Sequence, residues 1–325
     1  MNDFNAVAGQ AEVLPAYGTL SATHHVFEKD SIEAVNCALA AGRPLLVRGE
    51  PGTGKSQLAR AVAHKLGRAY LSYTVDSRTE SRDLIYAVDT VARLAAAQIA
   101  GHLYTDKKES FKEELTEKRF TSPGPLWWVL NWQSAANQAE WVGDSCRPRT
   151  PQGWQRERGA VVLIDEIDKA DSSVPNGLLE ALGQREFRAP GGEVVAADPE
   201  AAPPVVIITT NEERALPDAF VRRCLVLPLA WSKDREKLKT QLRARGKAHF
   251  PSLEKKVLDK AAEMVAQERE SAAEHNVCPP GGAEYLDLLR VVAVRWKDAP
   301  DKQLEALCQV GSFVLEKHPK ELGWA

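Results

Sequence analysis

No stretch of this sequence stays apolar for anything near the roughly 18 residues that would cross a bilayer. Its opening residues lack the basic-then-apolar order of a secretory signal. Cysteine is scarce and unpatterned: Cys37, Cys146, Cys224, Cys278 and Cys308 are odd in number and show no C-x-x-C spacing. A disulfide frame or a cysteine-held metal is therefore not expected; reduced thiols in a cytoplasmic protein are. The seven histidines are equally dispersed. Neither sign of charge dominates, because 42 Lys and Arg against 45 Asp and Glu leave a formal net charge of −3. That balance speaks against direct nucleic-acid binding, which usually comes with a strong basic excess. Internal repeats and low-complexity segments are missing as well.

What remains is a chain of ordinary globular composition, 44% hydrophobic and 27% charged. Its 325 residues allow about two domains. The stretch that organises it begins with Pro44-Leu45-Leu46-Val47, an apolar run of strand length. Gly49-Glu50-Pro51-Gly52-Thr53-Gly54-Lys55-Ser56 follows at once and matches G-x-x-x-x-G-K-[ST] in full. From Gln57 the sequence reads as helix, rich in Ala and Leu with no breaker. This order suits a phosphate. Glycines let successive backbone N–H groups turn inward, and the helix N-terminus adds partial positive charge. Lys55 is expected to reach the β- and γ-phosphates of ATP, and Ser56 to hold Mg2+. The nucleotide-binding set is therefore Gly49 to Ser56 together with Gln57.

Residues 1–22 read as a tail or irregular lead-in, and Asp30 or Ser31 as the N-cap of a first helix carrying Ile32, Val35 and Leu39 on one face. Ala69 to Val75 is a second strand. Ser81-Arg82-Asp83-Leu84 comes next, then an Ala-rich helical pattern to Ala100 and a doubly charged stretch from Lys107 to Lys118 that suits a solvated helix face. Trp127, Trp128, Trp132, Trp141 and Trp154 cluster in a way that predicts core, with Trp141 and Trp154 in a polar loop.

Val161-Val162-Leu163-Ile164-Asp165-Glu166 is a buried strand ending in two carboxylates. The strand end places Asp165 at the magnesium of a P-loop nucleotide. Glu166, one residue on and facing the other way, can polarise the attacking water. Val205 to Thr210 repeats the strand, with Asn211 placed to contact the γ-phosphate or the water. A short segment then ends in Arg222 and Arg223, and Leu225 to Leu229 is a further strand. Beyond Trp231 the pattern is helical, with helices expected from Lys233, from Pro251 to about His275, from Glu284 to Trp296 and from Lys302 to Glu316.

This ordered set is similar to the AAA+ ATPases and, within them, to the MoxR family. The likeness rests on Gly49–Ser56, Ser81-Arg82-Asp83-Leu84, Gly124-Pro125-Leu126, Ile164-Asp165-Glu166-Ile167-Asp168-Lys169-Ala170, Thr210-Asn211 and Leu216 to Arg223. It implies an α/β P-loop core of three layers with a parallel sheet, followed by a small all-helical lid. The domains would be 23–232, with an insert after the second strand, and 233–325. It also implies roles: Lys55 and Ser56 on phosphate and magnesium, Asp165 on the metal side, Glu166 as catalytic base and Asn211 as γ-phosphate sensor. Arg223 becomes the finger inserted into a neighbour's site, with Arg222 as the alternative. The family forms rings, commonly hexameric, that remodel protein clients beside partners carrying a von Willebrand factor A domain. A nucleotide-dependent scaffold that hydrolyses rarely, and a ring subunit of a DNA-directed restriction or defence system, stay open as alternatives. One departure stands out: the family's lid offers an arginine in a Ser-Pro-Arg-like turn, whereas Cys278-Pro279-Pro280-Gly281-Gly282-Ala283-Glu284 has none. Arg290, about two helical turns further on, is the substitute in sequence.

Overall fold

The computed structural model describes residues 4–103, 115–144, 147–275 and 277–315. Along the chain, β1 (Ala11–Leu14), β2 (Thr23–Val26) and α1 (Lys29–Ala41) precede β3 (Leu45–Arg48) and α2 (Lys55–Leu66). Next are β4 (Ala69–Thr74), β5 (Tyr86–Val88), α3 (Thr90–Leu103), β6 (Thr121–Pro123), α4 (Pro125–Leu130) and α5 (Trp132–Val142). Then come β7 (Ala160–Asp165), α6 (Ser173–Gln184), β8 (Glu186–Arg188), β9 (Val194–Ala196), β10 (Val205–Thr210), α7 (Asp218–Val221) and β11 (Leu225–Pro228). Helices α8 (Arg235–His249), α9 (Lys255–Glu274), α10 (Gly282–Arg295) and α11 (Gln303–Leu315) follow. Most of the charged stretch from Lys107 and the thiol of Cys146 lie outside the described residues.

Two compact units arise, neither contiguous in sequence. The first takes Phe4, Glu33–Val47 and Val62–Leu227; the second takes Asn5–Ile32, Arg48–Ala61 and the chain from Pro228 on.

The first unit is built on a five-stranded sheet in the order β11-β3-β10-β7-β4. β7 runs parallel to both neighbours, Val161 opposite Val205 on one side and Tyr70 on the other. Residues 160–164 and all of β10 are buried. Strands covered on both faces read as continuous apolar runs rather than alternations, which is why they stand out in the sequence. The core joins Val162, Ile164 and Ile208 to Trp127, Trp128, Phe187 and Phe220. Trp132 bridges Trp128 and Trp154, with ring centroids 5.0 Å and 4.5 Å away, so four of the five clustered tryptophans are in or against the core. Trp141 is the outlier: it lies on α5 rather than in a loop, 44% exposed, with the Arg119 guanidinium 5.4 Å from its ring centre. Gly124 caps α4 against the turn at Ser81–Leu84, where a Cβ would lie 2.8 Å from backbone atoms of Asp83, Leu84 and Ile85. The Gly-Pro-Leu and Ser-Arg-Asp-Leu elements are thus two halves of one contact.

The second unit packs α8 to α11 around Leu242, Val257, Leu258, Tyr285 and Leu289. It also holds the stretch 49–61 and a β1–β2 ladder pairing Ala11 with Val26 through Leu14 with Thr23. The ladder corrects part of the expected irregular lead-in. Its strands are four residues long, Ala-Glu-Val-Leu and Thr-His-His-Val, too short and mixed to stand out in sequence, and only their mutual hydrogen bonds identify them. α1 likewise begins two or three residues earlier than expected: Ile32 N donates to Glu28 O at 3.1 Å, and Asp30 sits inside the first turn, where its charge suits the helix dipole.

Candidate functional site

The glycine-rich loop that follows β3 belongs to the second unit. Gly49 adopts φ +151°, and a Cβ there would fall 2.1 Å from Leu229 O, so no other residue fits. Thr53 Oγ1 donates to Glu50 O at 2.9 Å, closing the loop on itself. Lys55, the first residue of α2 and only 7% exposed, donates from Nζ to Gly49 O at 2.7 Å and Glu50 O at 2.9 Å. The loop therefore holds the shape of a phosphate cradle, with the ammonium seated inside it. Gln57 directs its amide away from the loop: Nε2 donates to Thr23 Oγ1 at 3.1 Å and Oε1 lies 3.4 Å from His25 Nδ1. That contact ties α2 to β2. A cavity of about 190 Å³ opens between His25, Gly52, Gly54, Gln57, Arg245 and Leu286.

Two cations reach this loop that sequence reading did not single out. Arg269, on α9, donates from Nη2 to Glu50 Oε2 and from Nη1 to Pro280 O, both at 2.8 Å. Arg245, on α8, lies 4.3 Å from the Trp231 ring centre and 3.8 Å from Glu28. Arg290 instead pairs with Asp287 at an exposed position on its own helix. Burial pushes His25 and His249 down to about 4, so both imidazoles are neutral at pH 7.

In the first unit, the ends of β7 and β10 are linked through Thr209. Its hydroxyl donates to Asp165 Oδ1 at 2.5 Å and accepts from Glu166 N at 2.9 Å. Glu166 is not the next residue of the strand. It turns into the left-handed region at φ 59°, ψ 47°, a costly conformation for a residue with a side chain, and this turn rather than strand alternation sets where its carboxylate points. Oε2 meets Lys169 Nζ at 2.6 Å, and Oε1 accepts from Asn211 Nδ2 at 3.4 Å. The hydrogen bond to Glu166 raises the Lys169 pKa, which keeps that ammonium charged. Buried Asp168 accepts from the backbone of Asn211 and Glu213, at 3.3 and 2.9 Å, and so fixes the Asn211 loop. Asp165, Glu166 and Asn211 are thus brought into one hydrogen-bonded set, Thr209 joining the first two, Asn211 bonding Glu166 directly and Lys169 paired with Glu166.

Arg222 and Arg223 follow α7 with exposed side chains, and no ion pair of either occurs among the described residues. Their backbone is held from 180 residues away: Arg43 donates from Nε to Arg223 O at 3.0 Å and from Nη2 to Arg222 O. Nothing in local sequence marks Arg43 for this.

Among the described residues no group of three or more His, Cys, Asp or Glu could hold a metal ion by itself. The Asp165 carboxylate in the first unit and the Ser56 hydroxyl at the start of a helix in the second are each of the oxygen type that magnesium takes from protein when phosphates and waters complete its octahedron.

The AAA domain family, in its dynein-related subfamily, matches residues 44–224, more than half of the chain. The chain belongs to that family. As an AAA protein it is a nucleotide-binding ATPase, and the observed sheet with its C-terminal helices is the AAA+ P-loop fold. No curated protein matches it. Among solved structures it is similar to a point mutant of RuvB from Thermotoga maritima, at 17% identity over 87% of this chain and 69% of that one, with a TM-score of 0.44. It is also similar to the RuvB Holliday junction branch migration motor of the same organism, at 15% identity over 87% and 67%, with a TM-score of 0.42. Likeness at that level says nothing about what this AAA protein acts on. Among the described residues no helix is long and apolar enough to cross a membrane.

Proposed function

We propose that this AAA protein is a magnesium-dependent ATPase of the MoxR type, assembling as a ring, hexameric by family habit, that remodels a protein client. The observation that carries the catalytic part is the hydrogen-bonded set Asp165–Thr209–Glu166–Asn211. In this reading the amides from Gly49 to Gly54 and the Lys55 ammonium hold the phosphates, and Gln57 keeps the start of α2 in place. Ser56 and Asp165 hold the metal. Bound magnesium supplies charge neutralisation at the β- and γ-phosphate oxygens. Glu166 takes the proton of the attacking water, and Asn211 orients that water and senses the γ-phosphate. Arg223, or Arg222 in its place, adds a planar permanent charge to a neighbouring subunit's transferring phosphoryl group. The lead-in (1–22), core (23–232) and helical lid (233–325), a cytoplasmic location and a partner with a von Willebrand factor A domain belong to the same proposal.

One observation favours the alternative of a scaffold that hydrolyses rarely. Glu166 is in an ion pair with Lys169 at 2.6 Å, so one of its carboxylate oxygens is engaged by an ammonium rather than by a water. The net charge of −3 lends no support to a DNA-directed motor.

Glu166→Gln tests the reading. The variant is expected to bind ATP as the wild type does and to turn it over about 10²–10⁴-fold more slowly, the range a general base contributes. Unchanged steady-state turnover would remove Glu166 from the chemistry.

A further inference from the structure

The turn that opens α10 brings backbone, not charge, to the P-loop. A Cβ on Gly52 would meet Ala283 N at 3.3 Å, and Gly281 and Gly282 pack on Trp231. The family's arginine position is therefore occupied by glycines at van der Waals range of the loop. Arg290 does not stand in, since it is exposed and paired with Asp287.

Arg245 presents the opposite case. It enters from α8, with its side chain only 18% exposed. Its Nη1 is 3.6 Å from where a Cβ of Gly54 would be, on the wall of the cavity that Gly52, Gly54 and Gln57 line. The indole of Trp231 lies 4.3 Å from the guanidinium and orients it, as aromatic faces do for arginine. The ion pair with Glu28 spans 3.8 Å, beyond hydrogen-bonding range, and among the described residues the guanidinium makes no hydrogen bond. A largely desolvated, permanently charged fork with its donors open to a cavity is incomplete until an anion meets it. Of the histidines that line the cavity, His25 on β2 and His249 on Arg245's own helix are neutral, and with His24 they offer no counter-charge, leaving Glu28 as its facing carboxylate.

We infer that Arg245 is a phosphate ligand of the bound nucleotide, supplied from α8 in place of the arginine that the lid turn lacks. This rests on the P-loop being a nucleotide site and adds a residue to it. The preorganised guanidinium donates to a non-bridging phosphate oxygen close to the Gly54 amide, and binding of the nucleotide thereby engages a helix of the lid.

Isothermal titration of the full chain with ADP, AMP and adenosine tests this by affinity alone, without turnover. Arg245→Ala is expected to weaken ADP about tenfold to a hundredfold, as loss of a charge-assisted hydrogen bond does, and to leave adenosine unchanged. AMP weakened alongside ADP assigns the contact to the α-phosphate; a loss confined to ADP assigns it to the β-phosphate. Arg245→Gln, which keeps the stem on Trp231 without the charge, should match the alanine variant and carries the test if that variant does not fold. Arg245→Lys should recover part of the affinity, and Arg290→Ala should change nothing. Equal weakening of adenosine and ADP, or unchanged ADP affinity in a chain whose wild type binds ADP, overturns the inference alone. A wild type that binds none of the three ligands overturns the nucleotide reading and this inference with it.

Discussion

The P-loop and the carboxylate end of the sheet hold their shapes in opposite ways. In the loop the partners are close in sequence: Thr53 bonds Glu50, and Lys55 bonds Gly49 and Glu50. At the ends of β7 and β10 the partners are 43 to 45 residues apart, as in Thr209 with Asp165, Glu166 with Thr209 and Asp168 with Glu213. The first arrangement can form as soon as the local backbone turns. The second exists only once the parallel strands are in register, and parallel pairing demands a long closure before any contact rewards it. Under the proposed roles, recognition of phosphate is built locally, and the chemistry on it is built by tertiary structure.

The arginine pair carries the second mode furthest, because its proposed use lies outside the subunit. Arg223→Ala is expected to lower ATPase activity about 10³–10⁵-fold, the worth of an arginine finger. Lys55→Ala should abolish nucleotide binding. Mixing the two inactive proteins should restore part of the activity, since an intact Arg223 on one meets an intact P-loop on the other. Arg43→Ala, which frees the Arg222 and Arg223 carbonyls, should behave like a weaker Arg223→Ala in the same mixture. Absence of recovery in rings shown to be mixed would return Arg223 to an ordinary surface charge.

A smaller effect separates the two modes by stability. Thr209→Val strips Asp165 of a donor and Glu166 N of an acceptor in a fully buried place, at a cost of about 2–4 kcal/mol. Thr53→Val loses one local bond and should cost about 1 kcal/mol. Denaturant titration of both variants measures the difference. Equal losses would mean that the carboxylate end is held by packing rather than by its hydroxyl.

The smallest effect concerns pH and the unit that holds the P-loop. The folded pKa of His25, about 4, lies below its unfolded value of about 6.5, so the unfolded chain takes up the proton first. The stabilisation is complete above pH 6.5 and is lost as pH falls toward 4. Its slope in that window is at most about 1.4 kcal/mol per pH unit for one group. His25→Gln should flatten the dependence of stability on pH between about 6.5 and 5, read as a smaller shift in the denaturation midpoint. An unaltered pH dependence would show that His249 or the acidic groups carry it.

Much of this was legible in residues because the physics behind it is local. Lys55 and Ser56 are recognisable because the loop's conformation, its glycines and the helix start are all written within Gly49–Ser56. Asp165 is recognisable because a strand buried on both faces must be apolar until its end. Glu166 was recognisable by identity but not by direction, since strand alternation does not foresee a left-handed turn. The β1–β2 ladder was not legible at all: strands of four mixed residues acquire their identity only from each other.

By itself, then, the sequence determined the Gly49–Ser56 loop between a strand and a helix, and that two carboxylates and an asparagine end the buried strands. Those decisions depend on backbone preferences and burial periodicities that act over a few residues. The tertiary structure alone decided that Thr209 orients Asp165 and Glu166, that Lys169 holds the candidate base, and that Arg43 fixes the arginine pair. It alone brought Arg245 and Arg269 from the C-terminal helices to the loop between β3 and α2. A hydroxyl, an ammonium or a guanidinium has the same identity in any sequence context. What it does depends on the oxygen that long-range packing places within about 3 Å of it.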